Sequence, residues 1–170
     1  MATMTLPTSP DRRASTLVLV ASLASLAVAF ASQYWGGLQP CVLCWYQRYP
    51  YMVAAALGLV GLIVAGQPGL LRSILLLAAL AFFVDAGIAA FHVGVEQHWW
   101  AGTSECGSDI DLNGSTEDLT KLLLNQPVVR CDVPAWTMFG ISMAGYNFLY
   151  AALCGLAALW FAVRARQAEA

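Results

Sequence analysis

The stretch that decides the fold runs from Ser73 to Phe91 and reads SILLLAALAFFVDAGIAAF. An α-helix needs roughly 20 apolar residues to cross a bilayer, and this stretch approaches that length with Asp85 as its one ionisable residue. Three further stretches have the same character: residues 16–34, 49–66 and 143–163. Overall, 59% of the residues are hydrophobic and 11% are charged, and the mean hydropathy is +0.66, unlike an ordinary soluble domain. We therefore predict an all-α membrane protein, a four-helix transmembrane bundle.

The 170 residues suit a single integral membrane domain, residues 1–170, with external loops at about 35–45 and 96–135. Basic residues favour the cytoplasmic side of a membrane protein. Five of the eight basic residues lie on one side of the predicted bundle, namely Arg12, Arg13, Arg72, Arg164 and Arg166. We therefore expect both termini in the cytoplasm and both loops outside. The longer loop carries seven acidic and two basic residues, which agrees with export.

A cleaved signal peptide is the alternative interpretation of the N-terminus. Arg12 and Arg13 would supply its basic region, and Ala27-Val28-Ala29 resembles a cleavage site. The apolar run continues to about Tyr34, however, which is longer than most signal-peptide cores. The pattern therefore favours a retained membrane span.

A CxxC pair precedes the second apolar stretch, at Cys41-Val42-Leu43-Cys44. Two cysteines at this spacing can close a small disulfide ring, and the helix predicted to follow puts Cys44 near a helix N-terminus. Peptide dipoles there favour a thiolate. Arg48 lies one turn after Cys44 on the same face and adds a permanent positive charge. We expect a reactive thiol pair at the membrane surface, where two-electron thiol chemistry can meet a lipid-soluble electron carrier.

The other three cysteines divide by position. Cys106 and Cys131 fall in the second loop, where the expected compartment permits disulfides. The four loop cysteines allow three interpretations: redox pairs, two structural disulfides that pin the loops, or a zinc site of four cysteines. Only one of the two pairs has the CxxC spacing that is typical of zinc ligands. Cys154 is alone in the fourth apolar stretch. We interpret it as a buried free thiol that only packs.

Two ionisable residues mark the third apolar stretch. His92 follows its end, where a histidine can relay a proton or simply be satisfied by water at the interface. Asp85 lies inside the stretch, where a carboxylate is costly and suggests function. The two share a helical face about 10 Å apart, at 1.5 Å per residue. For Asp85 we favour a protonated acid bonded to a neighbouring helix over a proton path.

Four motifs of the chain resemble the DsbB family of bacterial disulfide bond formation proteins. They are Pro40-Cys41-Val42-Leu43-Cys44-Trp45-Tyr46-Gln47-Arg48-Tyr49, Phe91-His92-Val93-Gly94-Val95-Glu96, Arg130-Cys131-Asp132, and Phe139-Gly140-Ile141-Ser142-Met143-Ala144-Gly145-Tyr146-Asn147. The resemblance extends over four spans in order and both cysteine pairs. It implies a protein-dithiol:quinone oxidoreductase of the bacterial inner membrane with its redox loops in the periplasm, in the system that keeps that compartment oxidising.

The resemblance also implies a division of labour among the cysteines. Cys106 would form the mixed disulfide with a DsbA-like periplasmic thiol oxidase of thioredoxin fold, and Cys131 would then exchange with Cys41. Cys44 would remain as the thiolate facing the membrane quinone pool, with ubiquinone as the cofactor and menaquinone as the alternative. The implied site residues are Cys41, Cys44, Cys106 and Cys131 for catalysis and Arg48 and His92 for the quinone. We expect the lipid bilayer as surroundings, no metal and no nucleic acid.

The second loop carries one local structural signal. Ser115 and Asp118 are spaced as in a capping box, and Leu119, Leu122 and Leu123 share a helical face. We predict a short amphipathic helix here, lying on the membrane surface or packed on the rest of the loop.

Two other functions are alternatives. One is a vitamin K epoxide reductase-like quinone reductase, whose essential CxxC would lie on the last helix, where this chain has only Cys154. The other is a non-enzymatic membrane subunit with disulfide-pinned loops. Quinone reduction with a thioredoxin-fold partner separates these functions.

Overall fold

The computed structural model describes residues 10–103, 106 and 129–167. Four α-helices account for most of these residues: α1 Pro10–Tyr34, α2 Val42–Ile63, α3 Pro68–Glu96 and α4 Met143–Gln167. The stretches 16–34, 73–91 and 143–163 lie wholly inside helices, and 49–66 begins inside α2 and ends just beyond it. The predicted amphipathic helix at Ser115 to Leu123 lies outside the described residues.

Three of the described helices, α1, α3 and α4, are long and apolar enough to cross a membrane, judged by length and composition. The first turns of α2 hold Gln47, Arg48 and Pro50, and these polar and helix-breaking residues keep α2 below the same criterion. The outward faces of the helices are apolar, with Val28, Leu80 and Leu153 each more than half exposed. An apolar surface of this extent suits lipid rather than water, so the fold is a mostly helical membrane bundle.

The helices pack in chain order, α1 on α2, α2 on α3 and α3 on α4, and α1 contacts α4 less extensively. Small residues in these contacts let the backbones approach closely, as membrane helices require. Fully buried alanines include Ala54, Ala78, Ala151 and Ala162. Leu71, Leu75 and Phe82 of α3 fill the centre of the bundle. The polar site described below lies at one end of this core.

A short hairpin, absent from the prediction, leads into α4. Strand β1, Thr137–Met138, pairs antiparallel with β2, Ile141–Ser142. Phe139 and Gly140 form the turn with φ angles of 50° and 79°, the positive values that a type I′ turn needs at both central positions. Strands of two residues leave no alternating pattern in the sequence, so the hairpin is visible only in the structure.

The contact between α1 and α2 depends on a glycine. A Cβ added at Gly58 would lie 2.8 Å from the backbone N of Leu19. A backbone atom cannot rotate away from a clash as a side chain can. Gly58→Ala should therefore lower the free energy of unfolding by about 1–3 kcal/mol. Gly87→Ala is the matched control, since an added Cβ there meets no atom within 4 Å and brings the same helix propensity. Unfolding titrations in detergent measure both variants, and equal midpoints would contradict the close contact.

Candidate active site: a thiol pair beside a buried polar chain

The CxxC pair forms the N-terminus of α2. Cys41 is the N-cap residue, with extended backbone angles, and its sulfur accepts a hydrogen bond from the backbone N–H of Cys44 at 3.2 Å. The three-residue spacing allows this bond, because an N-cap side chain reaches the N–H of the third residue. The two Sγ atoms are 2.8 Å apart without a covalent bond. Cys41 is buried and Cys44 is half-buried. The structure therefore holds a contacting dithiol.

The two thiols differ in acidity. The hydrogen bond from the Cys44 thiol and the neighbouring His92 lower the pKa of Cys41, against the effect of burial. The pKa of Cys44 is raised by its hydrogen bond to Cys41 and by burial, although the charge of Arg48 lowers it. The sequence alone indicates a thiolate at Cys44. In the dithiol the lowered pKa belongs to Cys41, because the Cys44 thiol, His92 and the Cys44 N–H all act on that sulfur.

His92 lies in the last turns of α3 and faces the thiols. It is 4% exposed, so its ring contacts protein groups and not interfacial water. Its Nε2 is 3.6 Å from Cys41 Sγ and 3.8 Å from Glu96 Oε1, one turn further along α3. Its Nδ1 is 3.1 Å from Nε2 of Gln47. Both ring nitrogens are therefore held in place by polar side chains.

Asp85 is fully buried and bonded to a neighbouring helix. Asn147 of α4 donates from Nδ2 to Asp85 Oδ2 at 2.8 Å. The hydroxyl of Tyr51 donates to Asn147 Oδ1 at 2.7 Å, which fixes the orientation of the amide. This is the contact that the structural interpretation of Asp85 requires.

The same asparagine connects Asp85 to the histidine. Asn147 Nδ2 also donates to Gln47 Oε1, at 3.3 Å. Gln47 is left to donate from Nε2 to Nδ1 of His92, and the neutral imidazole then carries its proton on Nε2, toward Cys41. A polar chain therefore joins Asp85, Asn147, Gln47, His92 and Cys41, although Asp85 and His92 are too far apart to touch.

Arg48 is 5% exposed, which an arginine reaching for lipid headgroups would not be. Its Nη1 donates to Gln33 Oε1 at 2.6 Å and its Nη2 to the Ala29 carbonyl at 3.3 Å. The guanidinium lies 4.7 Å from the ring centre of Phe30 and 4.4 Å from that of Trp45, within range for cation–π attraction. Its Nε is buried and has no hydrogen-bond partner among the described residues. Arg48 thus joins α1 to α2 and keeps one donor unused.

The second cysteine pair packs against the first. Cys106 and Cys131 form a disulfide and are 2% and 0% exposed. Both belong to one apolar cluster with Cys41 and Val95, so the fold brings all four loop cysteines to one place. Cys154 lies apart in α4 as a free thiol against the helical core.

A cavity of about 680 Å³ lies beside the thiols. Small-molecule sites typically measure about 300–1,000 Å³ and combine an apolar lining with few polar groups. The polar lining here includes Cys41, Cys44, Gln47, Arg48, His92 and Glu96. Gln47, Glu96 and Asn147 are site residues to which the sequence assigned no role, although all three fall within the motifs that resemble the family. Asn147 carries a second signal, because a polar side chain in an apolar stretch suggests function.

Comparison with known proteins supplies the family. Residues 11–161 match the family described as Disulfide bond formation protein DsbB. The chain belongs to the DsbB family. A Disulfide bond formation protein B from Polaromonas naphthalenivorans is 30% identical over 165 residues, 92% of this chain and 94% of that protein. One from Herminiimonas arsenicoxydans is 33% identical over 135 residues, 71% and 82% of the two chains. An uncharacterized protein from Rickettsia prowazekii is 29% identical over 136 residues, 78% and 77%.

No solved structure matches the chain. The family match confirms the resemblance drawn from the four motifs, and it makes this chain a DsbB-family membrane protein of disulfide formation. Both cysteine pairs of the predicted site are present in the structure, one as a disulfide and one as a dithiol.

The polar chain predicts the tautomer of His92. The measurement needs neutral imidazole rings and is therefore made at about pH 8.5, well above the ordinary histidine pKa. ¹⁵N NMR in detergent should then show His92 protonated on Nε2. Gln47→Glu puts an acceptor-only carboxylate at Nδ1 and should move a proton onto that nitrogen. The sequence has two histidines, and exposed His98 serves as the internal reference. A proton on Nδ1 in the unchanged protein would show that the chain of donors runs the other way.

Proposed function

We propose that this chain is a protein-dithiol:quinone oxidoreductase. It would reoxidise a DsbA-like periplasmic dithiol protein of thioredoxin fold and pass the electrons through its two cysteine pairs to a membrane quinone. One observation carries the proposal: the Cys41–Cys44 dithiol, Arg48 and His92 line one largely apolar cavity. The family is generally quinone-linked, which supports the same acceptor. We take ubiquinone as that acceptor, with menaquinone as the alternative.

The proposal includes a location and an orientation. We propose that α2 crosses the bacterial inner membrane together with α1, α3 and α4, which makes four spans. Both termini would lie in the cytoplasm. The basic residues on one side of the bundle support this orientation. The two cysteine pairs would then lie on the periplasmic side, where disulfides form and persist.

Each transfer step is a thiolate attack on a disulfide sulfur. A thiolate of the reduced partner attacks Cys106, and Cys131 leaves as a thiolate. Cys131 attacks Cys41 of an oxidised CxxC pair and displaces Cys44. The second thiol of the partner then displaces Cys106, and Cys106 attacks Cys131 to re-form their disulfide and release Cys41. The net result is an oxidised partner and a Cys41–Cys44 dithiol, so two electrons have moved inward.

Burial requires one movement in this sequence. Cys106 is 2% exposed, so a partner cannot reach its sulfur in the arrangement observed. Cys41, by contrast, needs no exposure to the partner, because its attacker is another residue of the same chain. We propose that Cys106 moves outward to meet the partner.

The cavity residues fit a quinone. When bound, a quinone supplies an acceptor for two electrons and two protons. Arg48 has a buried Nε–H without a partner among the described residues, and this donor would stabilise negative charge on a bound oxygen. The Nε2–H of His92 is a second donor beside Cys41, placed to give up a proton. The apolar lining excludes water and strengthens both interactions.

A purified assay tests the function. The protein in detergent, with a reduced thioredoxin-fold partner, should reduce one ubiquinone for each partner dithiol oxidised, followed by the loss of quinone absorbance. Cys44→Ser should abolish this activity because it removes one of the two electron-carrying thiols. Cys154→Ser is the matched control and should keep it. Quinone left unreduced by the intact protein would favour the non-enzymatic subunit with pinned loops.

Arg48 should affect quinone use more than partner use. An opposite charge nearby commonly shifts a pKa by about 1–3 units, roughly 1.4 kcal/mol or tenfold per unit. Arg48→Met should therefore raise the apparent KM for quinone and slow turnover by about tenfold or more, with the apparent KM for the partner unchanged. Arg48→Lys should be intermediate, because it keeps the charge without the planar fork.

The structural role of Arg48 requires a control, since its bonds to Gln33 and Ala29 hold α1. Unfolding midpoints of both variants identify any general loss of structure. A folded Arg48→Met protein with unchanged quinone kinetics would limit Arg48 to helix packing.

A further inference from the structure

Three metal-binding side chains meet at the thiol pair. Cys41 Sγ, Cys44 Sγ and His92 Nε2 all lie within 4.8 Å of one another. We propose that the dithiol form of this site binds one thiophilic divalent cation, with Zn²⁺ as the representative ion, through these three atoms. The proposal rests on this geometry and not on the quinone reaction. It also differs from a site of four loop cysteines, because Cys106 and Cys131 are joined in a disulfide.

The sulfur–nitrogen distance agrees with tetrahedral coordination, whereas the two sulfurs lie closer together than it requires. Zn–S bonds of about 2.3 Å and Zn–N bonds of about 2.0–2.1 Å put a sulfur and a nitrogen about 3.6 Å apart at the tetrahedral angle. The observed distance from Cys41 Sγ to His92 Nε2 is 3.6 Å. The two sulfurs, at 2.8 Å, must separate to about 3.8 Å for the same bond lengths. Rotation of the half-buried Cys44 side chain accomplishes this, since Cys41 is held by the N-cap bond.

Glu96 stands next to the open fourth position. Its Oε1 is 3.8 Å from His92 Nε2, and its Oε2 is buried without a hydrogen-bond partner among the described residues. A carboxylate in this position can complete the coordination shell or accept a hydrogen bond from a metal-bound water. Glu96 thus supplies a second observation, independent of the thiols, that favours a cation here.

Gln47 can support the histidine as a ligand. Metal-bound histidines usually donate the N–H of their other ring nitrogen to an acceptor, and Gln47 is the group that contacts Nδ1 of His92. A half-turn of the Gln47 amide presents Oε1 to that N–H. The bond broken by this turn is the 3.3 Å contact from Asn147, which is longer than the 2.8 Å bond from Asn147 to Asp85.

Binding should depend on the redox state of the pair. Thiolates are the metal ligands, and a thiol that binds gives its proton to solvent. A Cys41–Cys44 disulfide offers no thiolate, so the oxidised protein should lack the site. A metal held by both sulfurs would also keep them from forming that disulfide. A bound thiophilic cation would therefore hold the pair in its reduced form.

The test is metal binding by the full-length protein in detergent, with Cys106→Ala and Cys131→Ala so that the CxxC pair is the reducible one. Cd²⁺ alone reports thiolate ligands through its charge-transfer absorbance, and Zn²⁺ is measured in competition with a chromophoric chelator. We expect one ion per reduced chain and binding at least about 100-fold weaker after oxidation.

Variants separate this site from simple dithiol binding. Loss of a group that only supports a metal ligand lowers metal affinity by roughly 10–100-fold. His92→Ala removes a ligand and should therefore weaken Zn²⁺ binding by at least as much. The Cd²⁺ absorbance should still report the two thiolate ligands. Cys154→Ser should bind as the parent protein does. Equal affinity of the reduced and oxidised forms, or full affinity without His92, would overturn the proposal.

Discussion

Lipid offers no hydrogen bonds, so polar groups inside a membrane bundle depend on one another. In this protein the buried carboxyl of Asp85 is bonded to Asn147, and that amide connects in turn to Gln47 and His92. The last member faces Cys41. The bonds that make a buried acid tolerable therefore also fix the orientation of the imidazole beside the reactive sulfur. Loss of one member would leave the next buried and unpaired, which costs more than the bond itself is worth.

Two buried polar atoms stand outside this network and line the cavity. They are the Nε of Arg48 and the Oε2 of Glu96, neither with a hydrogen-bond partner among the described residues. An unpaired buried donor or acceptor is unfavourable, and a ligand that pairs it relieves the cost. The Arg48 atom is a donor and the Glu96 atom an acceptor, so they favour different ligands. An oxygen with partial negative charge suits Arg48, and a cation suits Glu96. Both proposed ligands meet the pair as free thiols, because a quinone accepts the electrons of the dithiol and a cation binds its sulfurs.

The sequence predicts the helices and a thiol pair at a helix N-terminus because both features are local. A run of apolar residues or a CxxC pair ahead of a helix carries its meaning within about 20 residues. Gln47 and Asn147 could not be assigned in this way, since their partnership depends on how α2 and α4 are rotated toward each other in space. The contact between His92 and Cys41 is hidden for a similar reason, because the two residues are 51 positions apart in the sequence.

The end of α3 contacts both cysteine pairs or their neighbours, and these contacts differ in burial. His92, inside the last turns, is buried against Cys41. His98, just past the helix, lies 3.9 Å from Asp132, whose pKa is lowered by its hydrogen bonds with Arg130. The contacts around Asp132 are largely exposed, and exposed ion pairs contribute little and weaken with salt. His92 therefore holds Cys41 through a buried contact, whereas the contacts at Asp132, next to Cys131, are largely exposed. In the proposed function, disulfide exchange between the two pairs requires one of them to move, and we expect the outer pair to be the one that moves.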